Sequence, residues 1–309
     1  MEKLKLDAVT KKLLKTVAEL DGTPEGAFNV RVDGQCAGRR SSPNISITPK
    51  TEGSGIDVRI SDGTKGETCH IPVVVKNALF DRVLNDFFVG EGCSVTIVAG
   101  CGIHNDGAEP AGHDGAHRFF IGKNSSVKYI EKHYGAGEGA GVKIFNPETR
   151  IELADGAVLE VETLQIGGVD STRRVTYAQV GASAKLFVRE KLMTGGAEYA
   201  RTEFTVDLDG AGAAADVVSR SVAKGESSQE FFASLRGNNA CAGHSECDAI
   251  IMDSARVSAV PEILANHADA RLVHEAAIGK IAGEQLVKLM SLGLTEKEAE
   301  QEIINGFLK

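Results

Sequence analysis

One phrase recurs along this chain at a period near thirty residues: a short apolar run, a turn of small or polar residues, then a second short apolar run. FFVGEGCSVTIV, FFIGKNSSVKYI, IELADGAVLEV, VTYAQVGASAKLFV, FTVDLDGAGAAADVV, AIIMDSARVSAV and ILANHADARLV all take this form. The turn markers Gly92, Asn124, Gly156, Ala182 and Ala211 fall 26 to 32 residues apart. A unit this short cannot bury its apolar edge alone, so strand pairs at such a period predict coils stacked on one another, a β-helix. The competing arrangement is a sandwich of antiparallel hairpins, which would show turn signals roughly every 8 to 12 residues without the longer recurrence.

The repeat region runs from about residue 26 to 275, with one short helical interruption expected around Asn77 to Asn85. Before it, in residues 1–25, Leu4, Leu6, Val9, Leu13, Leu14, Val17 and Leu20 recur at helical spacing up to Gly22, an amphipathic helix. After it, residues 276–309 turn helical again. Ile278, Ile281, Ala282, Leu286, Leu289 and Met290 form one face, and Gly293 closes that helix. Thr295 and Glu298 then read as a capping box opening a last helix with Ala299, Ile303, Ile304 and Phe307. Two helices at the end of such a stack serve either as a cap or as a docking surface.

Charge narrows the function classes. The formal net charge is −9 and no basic run interrupts it, so neither nucleic acid nor an anionic membrane is an expected partner. There is no Trp and only 5% aromatic residues, which also argues against stacking platforms for single strands. MEKLKLDAVTKKLLKTVAELDG reads as neither a signal peptide nor a membrane span, so a cytoplasmic protein is expected. Cys36, Cys69, Cys93, Cys101, Cys241 and Cys247 are too sparse for a disulfide framework. No phosphate-binding GxxxxGK[ST] or GxGxxG loop is present, nor GxSxG or HExxH, so no nucleotide hydrolysis or hydrolase chemistry is expected of the chain itself. A β-helix sugar-processing enzyme or acyltransferase would need a groove of carboxylates or aromatics, for which the aromatics are few.

One segment is unusually rich in metal-ligating side chains. CGIHNDGAEPAGHDGAH holds Cys101, His104, His113 and His117 within seventeen residues, among only 8 His and 6 Cys in the chain. Cys and His are the usual ligands of zinc, iron and copper. Gly102, Gly107, Pro110, Gly112 and Gly115 suggest a loop leaving the stack, so solvated loop histidines and a metal site both remain open.

The C-terminal region, ECDAIIMDSARVSAVPEILANHADARLVHEAAIGKIAGEQLVKLMSLGLTEKEAEQEIINGFLK, closely resembles the core of the SufB/SufD family of iron–sulfur cluster assembly proteins, in the short form found in minimal assembly systems. The CD pair, P-E-I, V-H-E-A, G-K-I, E-Q-L, S-x-G-L and N-G-F occur there in the same order, and CGIHND, HRFFIGKN, NPETRIEL and QIGGVDSTRRV extend the likeness backward. The resemblance implies a mainly β protein, a right-handed parallel β-helix with terminal helices. It implies a scaffold rather than an enzyme, dimeric with itself or with a paralogue, docked through its C-terminal helices to a SufC-like ABC ATPase that hydrolyses the ATP.

The family's functional cysteine matches Cys247 and its acidic partner matches Glu275, 28 residues on, with His274 beside it. These three are the implied ligands of a transient iron–sulfur cluster, expected to be 4Fe–4S. Thiolate suits iron and sulfide, while carboxylate and imidazole hold iron more weakly. Cys101, His104, His113 and His117 stand as a secondary metal site, and Leu286, Leu289, Met290, Ile303 and Phe307 as the ATPase contact. Separate iron and sulfur donors and recipient apo proteins are implied; no residue pattern calls for a flavin. The chain is shorter than typical SufB proteins, so a sulfur route through cysteines of their longer N-terminal region is not expected here. A structural adaptor for the ATPase, carrying no cluster, is the alternative reading.

Overall fold

The computed structural model describes residues 4, 6–76, 78–165 and 167–309. Helix α1 (Ala8–Ala18) precedes strands β1 (Ala27–Val32), β2 (Gln35–Arg40), β3 (Ile45–Pro49), β4 (Gly55–Ile60), β5 (Lys65–His70) and β6 (Val73–Val75). The long coils comprise β7 (Phe80–Val89), β8 (Ser94–His104), β9 (Ala111–Ile121), β10 (Ser126–Ala136), β11 (Lys143–Phe145), β12 (Glu148–Leu153), β13 (Val158–Gln165), β14 (Ser171–Val180), β15 (Lys185–Thr194) and β16 (Tyr199–Leu208). They continue through β17 (Ala214–Ala223), β18 (Ser228–Gly237), β19 (Ala242–Ile251), β20 (Arg256–Ala265) and β21 (Arg271–Gly279) before helices α2 (Gly283–Ser291) and α3 (Glu296–Phe307).

Successive strands alternate between two sheets, and every strand from β7 onward pairs in parallel with a strand of the neighbouring coil. The result is a β-solenoid of about eight turns, as the thirty-residue recurrence predicts, and not a sandwich. Among the described residues, antiparallel pairs occur only at the start, β1 with β2 and β3 with β4. Corners are set by residues in the left-handed region: Gly92, Asn124, Gly156, Ser183 and Gly212 on one edge, and Gly196, Gly225 and Asp253 on another. Each corner bonds to the next, for example Gly92 N to the Lys123 carbonyl and Asn124 N to the Asp155 carbonyl, so the turns form a ladder of their own.

Alternation along each strand sends one row of side chains into the solenoid and the other to its surface. The inner rows stack like on like from coil to coil. Phe87 and Phe119 lie face to face at 4.5 Å, and Tyr129, Ile97, Leu159 and Leu186 are fully buried in the same core. Each such ring or branched side chain contributes about 1.5–3 kcal/mol on burial.

Two sequence expectations are corrected. Asn77 lies outside the described residues, but Phe80 to Asn85 belongs to strand β7 and not to a helix. Segment 101–117 is mostly strand: Cys101 and His104 end β8, His113 and His117 lie in β9, and only residues 105–110 connect them. The glycines serve close packing there. A Cβ on Gly100 would stand 2.1 Å from the Val17 carbonyl oxygen, and one on Gly102 would meet Leu13 at 3.2 Å. The strand is bare on that face so that α1 can lie directly on it, with Leu13, Leu14, Phe28, Val30 and Val74 forming the seam.

Helix α1 begins at Asp7, whose carboxylate accepts from Thr10 N, and closes at Glu19 in a left-handed conformation, before Gly22 is reached. The capping box at Thr295 and Glu298 opens α3 as expected. Among the described residues, no helix is long and apolar enough to cross a membrane.

Candidate functional site

Strands β19 and β21 are neighbours in the last coils, paired in parallel so that partners in register share a face. Ser245 pairs with His274, Glu246 with Glu275, and Cys247 with Ala276. In β19, Ser245 and Cys247 are buried on the inner face while His244 and Glu246 are half-buried on the outer one. His274 therefore lies on the inner face, two positions from the residue above Cys247, and its Nδ1 is 3.3 Å from Ser245 Oγ. Glu275 lies on the outer face. The structure brings Cys247 and His274 to one side of the sheet and Glu275 to the other.

On the outer face Glu275 meets two residues that sequence reasoning passed over. The ligand atoms of His244, Glu246 and Glu275 all lie within 4.8 Å of one another, the group of three potential metal ligands found among the described residues. His244 Nε2 is 3.7 Å from Glu275 Oε2, while its Nδ1 is 2.7 Å from Asp216 Oδ1 on the preceding coil. Arg189 in turn bonds Asp216. The alternation H-S-E-C in β19, which puts His244 and Glu246 on one face, was the signal available in the sequence.

Cys247 is 2% exposed. Burial, with the Glu190 carboxylate adding to it, pushes its thiol up to about 12. It lies at the end of an internal file of polar groups. Asn85 Nδ2 donates to His117 at 3.3 Å, His117 Nδ1 lies 2.7 Å from the Tyr129 hydroxyl, and that hydroxyl donates to Glu131 at 3.2 Å. Arg174 bonds Glu131 and sits 3.7 Å from Glu190. Glu190 accepts from Thr202 at 3.0 Å and from Ser219 at 2.6 Å, and Ser219 is in register with Cys247. Burial opposes the charge on Glu131, but Arg174 and His133 outweigh it and hold the carboxyl well below its usual range.

The secondary set does not converge. Cys101 faces inward in register with His133, and burial drives its thiol well above the ordinary value. His117 belongs to the internal file, and the buried His113 ring has Nδ1 3.4 Å from Asp81 Oδ2. His104 is on the outer surface, bonded to Asp106 at 2.8 Å. Among the described residues no three of these four present ligand atoms to a common point.

The C-terminal helices divide their apolar side chains. Ile304 is buried against Val222 and Ile250, with Ile303 and Phe307 packed beside it. Leu286 and Leu289 are half-buried, whereas Met290 is 43% exposed and its neighbours Val287 and Leu292 are 66% and 75% exposed. The stripe named from the sequence is thus split, part of it already used against the solenoid.

Comparison with known proteins bears on all of this. A family model described as "SUF system FeS cluster assembly, SufBD core domain" matches residues 75–307. A protein of Archaeoglobus fulgidus named "Iron-sulfur cluster assembly SufBD family protein" is 27% identical over 261 residues, 83% of this chain and 68% of that one. One of Methanothermobacter thermautotrophicus bearing the same name is 31% identical over 225 residues, 71% of this chain and 53% of its own length, so the chain spans about half of that relative. A Pyrococcus horikoshii protein of the same family name is 26% identical over 280 residues, covering 88% of this chain and 83% of its own.

Proposed function

This chain belongs to the SufB/SufD family of iron–sulfur cluster assembly proteins, and on that premise we propose that it is a non-catalytic scaffold on which a nascent cluster is built, working as a dimer with a SufC-like ABC ATPase. The cluster is cargo, expected to be 4Fe–4S, made from iron and sulfur delivered by separate donors and passed on to apo proteins. The observation that carries the reading is the placement of Cys247. It faces inward from β19, a single strand short of the last coil, with His274 on the same face and a polar file leading up to it.

A thiol pushed up to about 12 is protonated at neutral pH and is a poor ligand until something removes its proton. Ligation by Cys247 therefore needs the last coil to open, or iron close enough to displace the proton. Opening is the work we assign to the ATPase, acting through α2 and α3, which are continuous with β21 through a short connection. The dimer is assigned to the open end of the solenoid. Strands β20 and β21 end their sheets, and Ile263 there is 40% exposed although the Leu235 beneath it is 1% exposed. Such an edge, apolar and with unpaired backbone groups, calls for a partner.

Anaerobic reconstitution of the full chain with ferrous iron and sulfide, with and without the ATPase, tests the proposal. The wild type is expected to gain visible absorption and bound iron, and Cys247→Ser to lose most of both while remaining folded. A wild type that gains neither in either condition leaves the structural adaptor as the better reading.

A further inference from the structure

We propose that His244, Glu246 and Glu275 form a binding site for a divalent first-row transition ion on the outer face of the last coils, distinct from the thiol of Cys247 inside. Three features carry it. The ligand atoms already stand within 4.8 Å of one another. Ligands at about 2.0–2.2 Å from a shared ion stand roughly 3–3.6 Å apart, so a small rotation of Glu275, whose side chain is 68% exposed, closes the set. The two half-buried members come from one rigid strand and Glu275 from the next, with Glu246 and Glu275 directly in register.

The imidazole is also prepared for the task. Asp216 accepts from Nδ1, which fixes the tautomer and leaves Nε2 directed toward Glu275, the carboxylate–histidine arrangement that orients metal-bound imidazoles. Arg189 holds Asp216 in turn. Against the site stands Arg220, whose Nη2 is 3.6 Å from Glu246 Oε1; Glu246 is left its second oxygen as a ligand. One imidazole and two carboxylates suit ferrous iron and its neighbours in the series, hold them less firmly than thiolates, and leave coordination positions open. The ion-binding itself stands on this geometry. Its use as an iron-holding station beside a nascent cluster rests on the scaffold reading above.

Cobalt(II) is the probe, added anaerobically to the full chain without sulfide, so that metal binding is read apart from cluster assembly. The expected result is one equivalent per chain with visible d–d bands and no sulfur-to-cobalt charge-transfer band. His244→Ala and Glu246→Gln should each weaken binding about 10- to 100-fold, and Cys247→Ser should leave it unchanged. Ferrous iron should compete for the same site. Both substituted residues are on the surface, and circular dichroism checks that each variant is folded; if one fails to fold, the other still decides. The proposal is overturned by a wild type that binds no cobalt, or by binding that persists in both variants, or by binding that is lost in Cys247→Ser. Cobalt binding with no cluster under reconstitution would sink the scaffold reading and leave this site standing.

Discussion

Inside the solenoid the most demanding residues are charged or titratable ones. Arg174, Glu131 and Glu190 are each at most 5% exposed, and removing one partner from a buried pair costs about 3–5 kcal/mol because the other charge is left stranded. His117 adds a pH dependence. Burial lowers its pKa from 6.5 to about 4, and burial also lowers those of His133 and His70. The folded chain keeps the His117 ring neutral at pH values where the unfolded chain would protonate it, so its contribution is complete above pH 6.5 and is lost as the pH falls toward 4. Urea unfolding should show a lower stability at pH 5 than at pH 7, with roughly 2 kcal/mol of the difference due to His117. His117→Gln, which retains a hydrogen-bonding group toward Tyr129 without a titration, should show a smaller difference; an equal one would assign the effect elsewhere. The site itself was only half legible at this scale. Cys247 and Glu275 are 28 residues apart, but the local coil pairs Glu246 with Glu275, a spacing of 29. A difference of one residue reverses the face of every side chain on a strand, and no motif reveals which of the two spacings the coil adopts.

At the scale of elements, the recurrence of turns was readable because left-handed corners demand Gly, Asn or a tolerant substitute at a fixed interval. The misreadings have equally local causes. Leu79 and Val83 are four apart and imitate one turn of a helix, although Phe80–Val89 is a strand. The glycines of segment 100–102 imitate a turn but exist because α1 lies against them. For the C-terminal helices, exposure separates roles that periodicity merges. Val287→Glu combined with Leu292→Glu should abolish co-purification of the proposed SufC-like ATPase while changing thermal stability by less than about 0.5 kcal/mol, as surface substitutions do. Phe307→Glu should instead destabilise the chain by about 2 kcal/mol, since Phe307 packs on the Ile304 cluster. Retained co-purification in the double variant would remove α2 from the docking surface.

The whole molecule is a stack with two unlike ends. Its first coil is closed by antiparallel pairs, whereas its last exposes Val260, Ile263, Leu264, Val273 and Ile278 to between 39% and 50%. If two chains meet there, Ile263→Arg with Leu264→Arg should convert the dimer to a monomer by light scattering at unchanged circular dichroism. A dimer that survives both charges would have to use another face.

The ladder of coils also imposes an order in time. Synthesis runs from the antiparallel end of the stack toward the open one, so β19 leaves the ribosome before the β21 that pairs with it. His244 and Glu246 are made with β19, but Glu275 arrives only with β21, as does the strand that roofs Cys247. A nascent chain paused before residue 271 would display a buried-to-be thiol and an incomplete set of ligands at the same moment. Synthesis in this direction therefore completes the proposed set of ligands only once β21 has been added to β19.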